Sequence, residues 1–116
     1  MTYNNEAHDL TDGALQLVYI TTANRTDALE IAKTVVVEQL AACANIIDGM
    51  TSVFQWEGDL HEASETVLIL KTRSPLVSRL TDRIKALHSY DCPCVVSLDI
   101  ADGNTDFLMW IARNAQ

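Results

Sequence analysis

The chain has 116 residues, enough for one domain with its own core, and 48% of them are hydrophobic. Sixteen acids against eight bases give a formal net charge of -8, which excludes nonspecific nucleic-acid binding, because that needs clustered Lys and Arg to displace phosphate counterions. No apolar run approaches the roughly twenty residues of a membrane span, so no membrane partner is expected.

Residues 1–13, MTYNNEAHDLTDG, are polar and without periodicity, and read as a mobile head before a single domain over 14–116. Residues 15–22 are apolar on both faces, as in a central strand covered by helices. Asn24 can cap the next helix, with Asp27 near its positive end. Ala28, Ile31, Ala32, Val35, Val36 and Leu40 then recur three and four apart and make one apolar face. Residues 43–57 form a long strand, and Gly49 after Asp48 predicts a bulge or sharp bend within it. Gly58-Asp59 is the expected two-residue hairpin turn, with a returning strand over 62–72.

Ser74-Pro75 predicts the next helix start, with Ser74 as N-cap and Pro75 at the first helical position. Leu76, Val77, Leu80, Ile84 and Leu87 give that helix its buried face. Cys92-Pro93 stops any helix, residues 94–100 read as a fourth strand, and 105–114 as a last helix carrying Phe107, Leu108 and Ile111. The order β-α-β-β-α-β-α is an α+β class, a ferredoxin-like β-α-β-β-α-β sandwich with an extra C-terminal helix. Hairpin arms of about fifteen and eleven residues exceed the usual five or six, so part of the ribbon projects and offers edges to another chain.

The three cysteines, Cys43, Cys92 and Cys94, are odd in number and form no disulfide framework. With no charged segment and apolar core at the start, the expectation is a reduced, cytoplasmic protein. Cys43, flanked by alanines, reads as a packing residue. His88, Cys92 and Cys94 lie close together, and imidazole and thiolate suit copper or zinc. The alternative is that the two thiols pack as small hydrophobes. Lys71 interrupts an apolar strand and either snorkels to the rim or is held for an anionic ligand. Glu57, Asp59, Glu62 and Glu65 read as a solvated acidic group around the hairpin tip. The loop at Asn24 and Arg25 lacks a Gly-rich cradle, and no nucleophile is paired with a base, so no enzyme is expected.

Residues 40–58, LAACANIIDGMTSVFQWEG, followed by HSYDCP at 88–93, resemble the signature of the CutA family of divalent-cation tolerance proteins. The resemblance runs from about residue 15 to the C-terminus. It implies a ferredoxin-like homotrimer joined by inter-subunit strand pairing and responding to metal ions. No cofactor is obligatory, with copper or another divalent metal ion as the implied ligand. Copper ligation proposed in the family uses a Cys at the end of the first strand and two adjacent His before the second motif. The corresponding positions here are Thr21, Leu87 and His88, so only His88 matches, with Cys92 as a substitute. Cys94 replaces the family's Glu, which would shift preference toward Cu⁺ or Zn²⁺. In such a trimer Trp56, Lys71, His88, Tyr90 and Asp91 would line an inter-subunit cleft, with the Tyr90 hydroxyl reaching across the boundary. The competing implication is a trimeric small-molecule sensor or signalling scaffold in which Lys71, Tyr90 and His88 read an anionic ligand.

Overall fold

The computed structural model describes residues 14–116, and the expected mobile head over 1–13 lies outside the described residues. In chain order the elements are β1 (Leu15–Thr22), α1 (Arg25–Val37), β2 (Cys43–Trp56) and β3 (Asp59–Arg73). A short 3₁₀ turn (Ser74–Leu76) follows, then α2 (Val77–Leu87), β4 (Val95–Asp99) and α3 (Thr105–Asn114). The strands form one antiparallel sheet in the order β2-β3-β1-β4. This is the expected α+β, ferredoxin-like arrangement, with α3 as the additional helix.

The Asn24 side chain accepts the Asp27 N–H at 2.8 Å, which starts α1 by satisfying an orphan donor. The helix ends earlier than its apolar pattern suggests. Gln39 takes a positive φ of 61°, and the Leu40 and Gln39 amides bond back to Val35 and Val36 carbonyls at 2.9 and 3.0 Å. That is a Schellman closure, and it swings Leu40 into the core as a non-helical residue. The second helix also departs from expectation. Ser74 makes no capping bond, and Pro75 sits in a 3₁₀ turn that precedes α2.

Strand alternation divides the sheet into two unlike faces. Val18, Ile20, Leu68 and Leu70 are fully buried and pack with Ala28, Ile31, Val35, Leu80 and Ile84 from α1 and α2. A second cluster at the end of the sheet joins Leu15, Ala42 and Leu76 to Leu108 and Ile111 of α3. The opposite face is not covered as the apolar β1 sequence suggested. There Leu17, Tyr19 and Thr21 are half-buried, while Ile47, Val96 and Leu98 are 53%, 50% and 53% exposed.

The hairpin turns one residue earlier than expected. Trp56 pairs with Asp59, so Glu57 and Gly58 form the turn, with φ of 52° and 83°. Positive φ at both central positions matches a type I′ turn and the right-handed twist of the arms. The returning strand therefore begins at Asp59 and not at Glu62.

The bulge expected at Asp48-Gly49 is present, and it decides where the site lies. Ile47 pairs with Val67 and Met50 with Glu65, so two residues of β2 oppose the single Thr66 of β3. Gly49 has φ of 79°, a region that glycine enters without steric cost. The extra residue reverses the alternation of β2. Phe54 and Trp56 thereby share a face with Glu65 and Ala63, continuous with the open face at Thr21 and Val67. Beyond the bulge the two arms have lost β1 as a neighbour, since β1 pairs with β3 only from Thr66 to Arg73. The result is an elongated molecule, 56 × 25 × 23 Å.

Candidate functional site

A cleft of about 450 Å³ opens where this ribbon leaves the sheet. The ribbon supplies Phe54, Trp56, Ala63 and Glu65, β1 supplies Thr21, and the loop after α2 supplies Tyr90, Asp91, Cys92 and Cys94. The volume is in the range of small-ligand sites.

The loop is fixed to the sheet by His88. The Tyr90 backbone N–H donates to His88 Nδ1 at 3.0 Å, which leaves Nε2 as the protonated nitrogen, donating to the Thr21 carbonyl at 2.8 Å. The His88 and Tyr90 rings pack with centroids 4.7 Å apart. His88 therefore lies under the cleft and has both nitrogens occupied, which leaves no lone pair for an ion unless the loop is released.

Within this chain Tyr90 turns toward the ribbon. Its hydroxyl donates to Glu65 Oε2 at 2.7 Å. Glu65 is 9% exposed, so it is not part of a solvated acidic tip but forms the floor of the cleft. The phenol is pushed up from 10.0 to about 12, first by burial, then by its hydrogen bond to Glu65 and the negative charges of Glu65 and Asp27.

A phenol raised in the folded state favours folding while it keeps its proton. That contribution is fully present below the unfolded value of 10.0 and is lost as pH rises through about 12. Absorbance titration of phenolate is expected to show Tyr90 titrating late, at about 12, and Tyr90→Phe should remove that step. The same variant leaves Glu65 without its donor, at a cost of about 1–3 kcal/mol. Loss of a step near the ordinary 10.0 in place of a late one would show that the Glu65 bond does not hold the proton.

Cys92 and Cys94 are both free thiols that stand exposed on the single chain. They reach the cleft beside Asp91. Trp56, Tyr90, Asp91, Cys92 and Cys94 are thus brought together, whereas Lys71 is not. Lys71 lies six residues along β3 from Glu65, roughly 20 Å in an extended strand, where its Nζ donates to Asn45 Oδ1 at 2.5 Å and lies 3.7 Å from Cys43 Sγ. Cys43 is correspondingly half-buried beside an ammonium. Among the described residues, no three His, Cys, Asp or Glu side chains are already grouped to hold a metal ion.

Sequence reasoning missed Glu65 and Phe54 as site residues. Glu65 alternates in step with Val67, Ile69 and Lys71, which was a usable signal for a residue on the sheet's face. Phe54 alternates in step with Trp56, which was likewise a usable signal, although the side this pair takes depends on how many residues the bulge inserts.

Residues 16–114 match the family of CutA1 divalent ion tolerance proteins. The divalent-cation tolerance protein CutA of Thermus thermophilus is 42% identical over 99 residues, covering 85% of this chain and 96% of its own. The chloroplastic CutA of Arabidopsis thaliana is 41% identical over 100 residues, and there the match covers 86% of this chain but 55% of the longer relative. The solved Thermus thermophilus Cut A1 structure superposes with a TM-score of 0.86 at 41% identity, over 88% of this chain and 99% of that one.

Proposed function

The chain belongs to the CutA1 divalent ion tolerance family, and from this premise we propose that it acts as a homotrimer that responds to metal ions by binding a soft ion at its cleft. The observation that carries the reading is that two exposed thiols, Cys92 and Cys94, line the same cleft as Asp91. Thiolates select Cu⁺ and Zn²⁺ over hard cations, so copper or zinc fits this donor set better than magnesium or calcium. The remaining donors would come from solvent or from a second chain. His88 serves to hold the loop.

Trimer formation is supported by the ribbon. A two-stranded hairpin is marginal in water without a third element to cover it, and on its face away from the cleft Val53 and Leu60 are 64% and 73% exposed. Another subunit is the natural cover. An anionic ligand is disfavoured, because Glu65 and Asp91 line the cleft and Lys71 lies far along the strand. We read the protein as a binding protein without catalysis. A reducing compartment such as the cytoplasm would keep its three thiols free. Among the described residues no helix is long and apolar enough to cross a membrane.

The test is calorimetric titration of Cu⁺ and Zn²⁺ into the reduced protein. About one ion per chain is expected, weakening by at least about tenfold when both Cys92 and Cys94 are serine. His88→Gln should bind with similar affinity. Binding that ignores the loss of both thiols would overturn the assignment.

A further inference from the structure

Glu65 is a charge that the fold leaves unbalanced inside the cleft. The residue is 9% exposed, and its side chain's hydrogen-bond partner is the neutral hydroxyl of Tyr90. Among the described residues the ion pairs are Arg25–Asp48 and Arg83–Glu38, and neither includes Glu65. Burying a carboxylate with one neutral donor is costly, since the bond answers part of its hydrogen-bonding capacity and none of its charge. Asp91 adds a second carboxylate to the lining, and among the described residues of the chain no Lys or Arg joins it. The cleft is therefore electrostatically complementary to a cation.

The walls say which kind. Phe54, Trp56 and Tyr90 line the cleft together with Glu65, and His61 stacks on Phe54 with centroids 5.5 Å apart. Aromatic faces carry negative potential and attract large, weakly hydrated cations, while they offer no ligand atoms to a metal ion. A space of about 450 Å³ is also far larger than a single bare ion needs. We propose that this part of the cleft binds a small organic ammonium ion, with its charge against Glu65 and its alkyl groups against Trp56, Phe54 and Tyr90. The site is separate in its chemistry from the thiol pair, so it does not depend on metal binding by Cys92 and Cys94.

The experiment uses the reduced, full-length protein with a chelator present, so that metal plays no part. Choline and propylammonium are titrated by calorimetry, with 3,3-dimethyl-1-butanol as the uncharged counterpart of choline. At least one ammonium probe is expected to bind, with the alcohol at least about tenfold weaker. Glu65→Gln and Trp56→Leu should each weaken the ammonium probe by about tenfold, while Glu30→Gln, at an exposed carboxylate on α1 away from the cleft, should leave it unchanged. The proposal is overturned if neither ammonium binds, if the alcohol binds as well as choline, or if Glu65→Gln has no effect. It is equally overturned if wild type binds no ammonium and Glu65→Gln dissociates the assembly, which would make Glu65 a contact between subunits.

Discussion

Replacing Leu68 by alanine is expected to cost about 2–5 kcal/mol of folding stability, a large part of the 5–15 kcal/mol available to a domain. Leu68 is fully buried in the middle of β3. It pairs with Ile20 on one side and Ile46 on the other, and it belongs to the cluster formed with Val35, Leu80 and Ile84. Two flanking strands hold the backbone in place, so the lost methyl groups leave a cavity that cannot collapse. Urea denaturation at fixed protein concentration measures this, the fixed concentration being needed because assembly would add to apparent stability. A change below about 1 kcal/mol would mean that the core lies elsewhere or relaxes freely.

The second large effect concerns assembly. Changing Val53 and Leu60 together to lysine is expected to convert the proposed trimer into a monomer. These residues lie on the ribbon face opposite the cleft, and both are among the most exposed large hydrophobic residues of the chain. Lysine is chosen because Val53 faces Glu62 across the ribbon and Leu60 faces Gln55. A lysine opposite Glu62 supports the hairpin locally, so the substitution wets the face without breaking the ribbon. Light scattering should report one 12.8 kDa chain in place of three. Persistence of the trimer would move the interface to the open sheet face at Val96 and Leu98.

The order of elements was legible because each depends on local pattern. The apolar stripe of α1, the Asn24 cap and the alternation of β3 all appear in the sequence and recur in the structure. Boundaries failed where tertiary contacts overrode local signals. Leu40 fits the helical period of α1, yet a left-handed Gln39 ends the helix before it. Gly58-Asp59 looked like the stronger turn, but the register places Trp56 opposite Asp59 and puts the left-handed pair at Glu57 and Gly58.

The site was only half legible for the same reason. Trp56, Tyr90, Asp91, Cys92 and Cys94 were singled out from the sequence, and one cleft gathers them. Within one chain Lys71 stands apart from them along β3, so it would share their cleft only across a boundary between subunits. Assigning Glu65 to a solvated tip ignored Tyr90, whose hydroxyl meets it across 25 positions of sequence. A bulge of one extra residue determines whether Phe54 and Trp56 face the cleft, and no composition or periodicity states its register.

The most direct test of the cleft as a soft-metal site is zinc X-ray absorption on the reduced protein loaded with one ion per chain. Sulfur scatterers near 2.3 Å from zinc are predicted, and their loss when Cys92 and Cys94 are both serine. A shell of nitrogen and oxygen alone, at about 2.0–2.1 Å in the unaltered protein, would contradict it.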